Sequence, residues 1–161
     1  MQAPILGTRT LSWPDEAACA ASALRLADHE ALRDAFVELH GPLGAGKTTF
    51  ARHLLHALGV TGAIKSPTYA LLEPYRAGAD RGGFEIAHCD FYRFDDAQEW
   101  EDAGFREVFA GPGLKLVEWP EKAAALLPCC DLRIEIAPRD DRDDRDVRFE
   151  ALSPRGAALL P

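Results

Sequence analysis

Residues 41–50 read Gly41-Pro42-Leu43-Gly44-Ala45-Gly46-Lys47-Thr48-Thr49-Phe50. Four of them match the pattern G-x-x-x-x-G-K-[ST] of loops that bind the phosphates of nucleotides, namely Gly41, Gly46, Lys47 and Thr48. Glycines let the backbone turn tightly, so that successive N–H groups can face the same phosphate oxygens. A lysine at this place can bridge the β- and γ-phosphates, and the next hydroxyl can ligate Mg²⁺. The stretch therefore predicts a nucleotide-binding loop.

The segments on either side have the patterns that this motif requires. Residues 35–39, Ala-Phe-Val-Glu-Leu, form a short apolar run that predicts a buried strand. Residues 49–58 predict a helix with one apolar face, formed by Phe50, Leu54, Leu55 and Leu58. The positive end of that helix dipole would add to the attraction for phosphate.

Composition predicts a single globular domain over residues 1–161. Hydrophobic residues make up 47% of the chain, and no apolar run approaches the length of a membrane span. Residues 1–11 lack the basic start and apolar core of a signal peptide, so we expect a cytoplasmic protein without a membrane anchor. The net charge of −8 argues against strong nucleic-acid binding by the chain itself. The four cysteines show no C-x-x-C spacing, which favours free thiols over disulfides or zinc.

The remaining hydrophobic patterns alternate between strand and helix. Helices are predicted from about 15 to 27, with Asp15 or Ser12 as the cap, and at 95–102, 105–109 and 121–127. Strands are predicted at 7–11, 84–89, 114–117, 132–136 and 147–152, with hairpins spanning 69–86 and 132–152 and a solvated charged turn at 139–146. The fold class is therefore α/β: a P-loop NTPase-like mixed sheet with a parallel centre, added antiparallel strands and helices on both faces.

Two carboxylates follow predicted strands directly. Asp90 comes after residues 86–89, and Glu118 comes after residues 114–117. In an open α/β sheet, ligands bind beyond the carboxyl ends of the strands. Either acid could hold Mg²⁺ through water or orient the attacking water; the alternative is an ordinary helix cap or turn acid. Because two such acids accompany a phosphate-binding loop, we favour the functional interpretation.

Three further features leave their roles open. The segment Lys65-Ser66-Pro67-Thr68-Tyr69 is either a nucleotide-sensing switch loop or the entry to a strand. Arg93 either supplies a cation to the γ-phosphate or a partner, or packs on Tyr92 at the surface. Trp119, beside Glu118, is favoured as a core residue.

Four sequence motifs, taken together, are specific enough to indicate a protein family. They are G-x-L-G-A-G-K-T-T-F at 41–50, K-S-P-T-Y at 65–69, H-x-D-x-Y-R at 88–93 and L-V-E-W-P at 116–120. In content, order and spacing they resemble the TsaE (YjeE) family, the bacterial ATPase of tRNA threonylcarbamoyladenosine biosynthesis.

The resemblance implies an ATPase that binds ATP or ADP with Mg²⁺. It also implies TsaB-like and TsaD-like partner proteins, which install the threonylcarbamoyl group on adenosine 37 of tRNAs that read ANN codons. ATP binding and hydrolysis would reset that complex rather than perform the transfer.

The resemblance also implies roles for individual residues. Asp90 would be required for hydrolysis, and Thr48 and Glu118 would bind Mg²⁺. Glu16 resembles a nucleotide-contacting position, and Arg145 resembles an arginine near the base or ribose. The phosphates of ATP would be bound by Leu43, Gly44, Ala45, Gly46, Lys47 and Thr48, with Lys47 also catalytic.

Three other functions fit a phosphate-binding loop. A small-molecule kinase would need an acceptor pocket and usually an arginine-rich lid, and the chain has no insertion of that size. A GTPase would usually carry N-K-x-D, which does not occur in the sequence. A nucleotide-gated binding module with negligible turnover is the third, and Asp90 and Glu118 argue for some turnover.

Overall fold

The computed structural model describes residues 3–67, 70–140 and 143–161. Within these ranges, seven strands form one sheet: β1 (Gly7–Trp13), β2 (Phe36–His40), β3 (Leu72–Arg76), β4 (Glu85–Asp90), β5 (Leu114–Glu118), β6 (Leu132–Pro138) and β7 (Arg145–Ala151). The helices are α1 (Glu16–Ala27), α2 (Lys47–Ala57), α3 (Ala97–Asp102), α4 (Phe105–Ala110) and α5 (Pro154–Ala157). None of the helices in the described ranges is long and apolar enough to span a membrane.

The strand order is β1-β7-β6-β2-β5-β4-β3, which puts β2 in the middle of the sheet. The four strands β6, β2, β5 and β4 are parallel, whereas β1, β7 and β3 add antiparallel strands at the two sides. This is the predicted P-loop NTPase-like sheet with a parallel centre. Its consequence for function is that β2, β4 and β5 end at the same edge.

Apolar side chains fill the space on both faces of the sheet. Helices α1 and α2 cover one face, where Phe50 stacks on Trp13 with ring centroids 5.5 Å apart. Helices α3 and α4 contribute to the other face, where Phe91 and Phe105 are fully buried. Alternate residues of the central strands serve the two faces, as expected for the two-residue repeat of a strand. The predicted helices on both faces are confirmed.

Asp15 caps α1, because its Oδ1 accepts a hydrogen bond from the N–H of Ala18 at 2.9 Å. The predicted helix at 121–127 is wrong: the structure has a 3₁₀ turn at Pro120–Ala123 followed by turns. Pro128 disfavours a helical conformation of the residue before it, which limits the segment at its C-terminal end.

The end of the chain also differs from the prediction. Sequence reasoning missed α5, although Ser153 before Pro154 is a typical start signal, and the Ser153 Oγ accepts from the N–H of Gly156 at 3.0 Å. The predicted charged turn at 139–146 is shorter, because Arg145 and Asp146 already belong to β7 and pair with β1 and β6. Asp141 and Arg142 of that turn lie outside the described residues.

A tight turn fixes the start of β5 at the sheet edge opposite to the phosphate-binding loop. Gly113 has φ +104°, and its N–H donates to Asp34 Oδ1 at 2.8 Å. The buried Lys115 Nζ donates to the carbonyl oxygens of Gly111 and Gly113, the latter at 2.9 Å. Burial lowers the pKa of this lysine. Because β5 has five residues, the turn also sets where Glu118 emerges.

Gly113→Ala should therefore destabilise the protein more than an ordinary Gly→Ala change in a loop. A Cβ at Gly113 would lie 2.4 Å from the Glu85 carbonyl oxygen, whereas Gly62, with φ +88°, has open space around it. The matched control Gly62→Ala should lose about 1 to 2 kcal/mol for the left-handed backbone. Gly113→Ala should lose a further 1 to 3 kcal/mol or so for the clash. Urea unfolding measures both, and equal losses would contradict this view of the turn.

Candidate nucleotide-binding site

The glycine-rich loop joins the end of β2 to the start of α2, and its backbone requires glycine. Gly44 and Gly46 have φ +78° and +111°. A Cβ on Gly41, where φ is +149°, would lie 2.5 Å from the carbonyl oxygen of Ile136. The first N–H groups of α2 lack acceptors within the helix, and the helix dipole places its positive end there. The loop therefore presents backbone donors to an anion at the edge of the sheet.

Lys47, the first residue of α2, is only 5% exposed. Its Nζ donates to the carbonyl oxygens of Gly41 and Pro42, the latter at 3.4 Å. The same atom lies 3.6 Å from the centroid of the Trp119 ring, a cation–π contact. Burial lowers the pKa of Lys47, while the nearby Glu118 opposes that shift.

Trp119, which was predicted to be a core residue, lies only partly in the core. It is half-buried, packs against the apolar core on the α3 and α4 side of the sheet, and its ring lies tilted against Tyr92 with centroids 4.9 Å apart. Its backbone has φ +55°, which is strained for a residue with a bulky side chain. Strained backbone persists where the surrounding structure imposes it, and functional sites are where it clusters. The core role favoured from the sequence is thus incomplete, because the ring also covers Lys47.

A hydrogen-bonded chain of three side chains links α2 to two strands. The Thr48 hydroxyl donates to Glu118 Oε1 at 2.8 Å, and the His88 Nε2 lies 2.7 Å from Glu118 Oε2. Glu118 and His88 are each 1% exposed. Burial of a carboxylate is costly unless its oxygens accept hydrogen bonds, and here both oxygens do.

Asp90 lies beside Glu118. The two residues are paired in the parallel register of β4 and β5, so both emerge at the same level of the sheet edge. Asp90 is 4% exposed, and its Oδ1 accepts from the N–H of Tyr92 at 2.8 Å. The strand register therefore brings the two acids to the same edge of the sheet as the loop, as predicted.

The donor set beside the loop suits Mg²⁺. Among the described residues, no cluster of three or more His, Cys, Asp or Glu could hold a metal by itself. Mg²⁺ does not need one, because it prefers hard oxygen ligands and usually takes one or two from protein, with phosphates and water completing the set. Thr48 and Glu118, which are hydrogen-bonded to each other, would supply such oxygens at the N-terminus of α2.

Two clefts flank the loop and share Ala45, Gly46 and Thr49. The first, of about 420 Å³, contains Lys47, Thr48, Asp90, Arg93, Glu118 and Trp119. The second, of about 330 Å³, contains Trp13, Asp15, Glu16, Cys19, Asp143 and Arg145. One cleft thus contains residues predicted to bind phosphate and Mg²⁺, and the other has a size and a mixed lining that would suit a small organic ligand.

Glu16 and Arg145 lie in that second cleft. Glu16 Oε1 is 3.0 Å from His53 Nε2. Arg145 Nε donates to the carbonyl oxygen of Ala45 at 2.9 Å, which ties the start of β7 to the phosphate-binding loop. Cys19 forms part of the wall, and burial raises the pKa of its thiol to about 11.

The predicted switch segment is only partly described. Thr68 and Tyr69 lie outside the described residues, and Lys65, Ser66 and Pro67 line neither of the two clefts. Instead, the N–H of Lys65 donates to the hydroxyl of Tyr75 at 2.9 Å.

Sequence reasoning missed His88, Trp13 and Cys19 as site residues. The signal for His88 was its place two residues before Asp90, on the same face of the same strand. Trp13 and Cys19 could not be assigned from local pattern, because α1 meets the loop only in the folded chain.

Comparison with known proteins gives a consistent result. The family model described as threonylcarbamoyl adenosine biosynthesis protein TsaE matches residues 13–147. The chain is 43% identical over 124 residues to the tRNA threonylcarbamoyladenosine biosynthesis protein TsaE of Haemophilus influenzae, covering 77% of this chain and 75% of that protein. The protein of the same name from Bacillus subtilis is 39% identical over 117 residues, covering 73% and 70%.

A solved structure agrees with these sequence matches. The crystal structure of YdiB from Bacillus subtilis superposes with a TM-score of 0.75 at 28% identity, covering 95% of this chain and 91% of that one. Because the family model matches most of the chain and the relatives are about 40% identical to it over more than two thirds of its length, the chain belongs to the TsaE family of threonylcarbamoyladenosine biosynthesis proteins.

Proposed function

We propose that this chain is a P-loop ATPase subunit required to form the threonylcarbamoyl group on adenosine 37 of tRNAs that read ANN codons. The family supports the pathway, because its members are named for tRNA threonylcarbamoyladenosine biosynthesis. The observation that carries the ATPase assignment is the contact of Thr48, at the start of α2, with the buried Glu118 at 2.8 Å. This contact joins the phosphate-binding loop to a carboxylate at the sheet edge.

ATP binding would use the loop and the first turn of α2. Backbone N–H groups from Leu43 to Thr48 would surround the phosphates, and the Lys47 ammonium would leave its carbonyl partners for the β- and γ-phosphates. The nucleoside would occupy the cleft that contains Glu16 and Arg145. Both clefts are open to the loop, so one ligand can reach both.

Hydrolysis would depend on the two buried acids. A bound Mg²⁺, held by Thr48 and Glu118, would neutralise charge on the phosphates. Asp90 lines the same cleft, and the N–H of Tyr92 donates to its Oδ1 and so orients the carboxylate. We assign it the orientation of the attacking water and the acceptance of its proton.

Partners would use the rim of the phosphate cleft. Leu43 at the tip of the loop is 70% exposed, and Tyr92 at the cleft is 37% exposed. Exposed apolar side chains around a functional cleft are typical of contact surfaces. We propose that TsaB-like and TsaD-like proteins bind the chain in the cytoplasm, and that hydrolysis releases or rearranges the complex.

Lys47→Ala tests the assignment. The variant should lose ATP and ADP binding or weaken it greatly, because the phosphates lose their only cation from the loop itself. Calorimetry in the presence of Mg²⁺ measures this. The control Lys122→Ala removes an exposed lysine near the cleft, whose Nζ lies 5.8 Å from the Tyr92 ring centroid, and should bind like wild type. Equal affinities for wild type and Lys47→Ala would refute the proposal.

Asp90→Ala and Glu118→Ala should separate binding from turnover. Nucleotide should still bind through the loop, with less dependence on Mg²⁺ for Glu118→Ala. ATP hydrolysis with the partner proteins should fall on the order of 100-fold or more, since water and metal are no longer placed. Phosphate release measures the rate. The control is Glu101→Ala, which removes an exposed carboxylate of α3 that lines neither cleft. Wild-type rates in both variants would mean that the two acids are structural.

The isolated chain should bind tRNA weakly or not at all, and reach tRNA through its partners. Its net charge is −8, and several arginines of the described surface are paired with acids, as in Arg148–Glu135 at 2.8 Å. A gel-shift titration at physiological salt measures this. Sub-micromolar binding that weakens steeply with added salt would show that the surface has a basic patch.

A further inference from the structure

His88 is a buried polar residue that the proposed binding and hydrolysis steps do not use. It lies on β4, is 1% exposed, and its Nε2 is 2.7 Å from Glu118 Oε2. In the strand register it pairs with Leu116, so it sits one pleat below the level of Asp90 and Glu118. Among the described residues, its side chain makes a polar contact with Glu118, the acid that also contacts Thr48.

The surroundings of the ring favour one tautomer. An ionised carboxylate only accepts hydrogen bonds, so Nε2 must carry the hydrogen and donate it to Glu118. The other ring nitrogen, Nδ1, is buried and has no hydrogen-bond partner among the described residues. His88 thus directs the hydrogen on Nε2 at Glu118.

This donor completes the fixation of the Glu118 carboxylate. Oε1 accepts from Thr48 and Oε2 accepts from His88, so rotation of the carboxylate would break both hydrogen bonds. The Thr48 hydroxyl donates its hydrogen to Glu118, so the lone pairs of the Thr48 oxygen can face a cation. The Thr48 hydroxyl and the Glu118 carboxylate are the oxygen ligands proposed for Mg²⁺. The orientation of both therefore depends on the hydrogen bond that His88 donates to Glu118.

We propose that His88 is a positioning residue that raises the Mg²⁺ affinity of the nucleotide site by fixing the carboxylate of Glu118. The proposal rests on the proposed Mg-nucleotide binding. Hydrogen-bond partners behind a metal ligand typically change metal affinity about 10- to 100-fold when they are removed. A role in core packing alone would affect folding stability but would leave the Mg²⁺ dependence of binding unchanged.

The chain offers a matched pair of substitutions. In Gln, the amide nitrogen is as many bonds from Cβ as Nε2 is in His, whereas the amide nitrogen of Asn corresponds to Nδ1. His88→Gln can therefore donate to Glu118, and His88→Asn, of similar polarity, cannot reach it. Cys89→Ala is the control for disturbance of β4, because Cys89 is fully buried on the opposite face of the sheet.

Calorimetric titration of a non-hydrolysable ATP analogue, over a range of Mg²⁺ concentrations, is the experiment. His88→Asn should need roughly tenfold more Mg²⁺ or more for half-maximal enhancement of binding, with affinity in EDTA unchanged. His88→Gln and Cys89→Ala should follow wild type.

The outcomes separate the two proposals. If wild type binds no nucleotide or shows no Mg²⁺ dependence, the proposed function itself fails. If wild type depends on Mg²⁺ and His88→Asn and His88→Gln have the same midpoint, this inference alone is overturned. Loss of binding in EDTA together with a lowered Tm in both variants would likewise overturn it, because that is the result of a packing role.

Discussion

The hydrogen bond between Thr48 and Glu118, 2.8 Å long, is the contact on which the site depends. It joins the first turn of α2 to the last residue of β5. For the two groups to meet, β2 and β5 must be parallel neighbours, and α2 must pack over the sheet at the correct height. The turn at Gly113, the aromatic stack of Trp13 on Phe50 and the filled core below α2 can all be understood as ways of meeting that condition.

The site concentrates charged groups whose side chains are largely buried. Lys47, Asp90 and Glu118 are each at most 5% exposed. Burial of ionised groups costs free energy, which backbone carbonyls, a backbone N–H, a hydroxyl and an imidazole offset here. An apolar core of the same shape would not carry that cost. The arrangement is consistent with a site that gives up stability so that its ligand-directed groups are oriented beforehand.

The prediction from sequence was best where local pattern and topology coincide. The run at 41–50 needs particular backbone angles and a helix start, both of which its own residues supply. Asp90 and Glu118 were placed correctly because buried strands that end in acids leave few alternatives in a parallel sheet. The helix predicted at 121–127 was wrong: a 3₁₀ turn at Pro120–Ala123 and further turns take its place. Arg145 was expected in a turn, but pairing on both sides draws it into β7.

The sequence by itself determined the phosphate-binding loop, the α/β class and the presence of two acids at strand ends, since each follows from the order and spacing of neighbouring residues. Only the tertiary structure decided that Thr48 donates to Glu118, 70 positions away, and that Lys47 lies under Trp119. It also revealed the contact of His88 with Glu118, 30 positions apart. The physical reason is that hydrogen bonds form between groups that strand register and helix packing bring together, and neither is encoded in a local pattern.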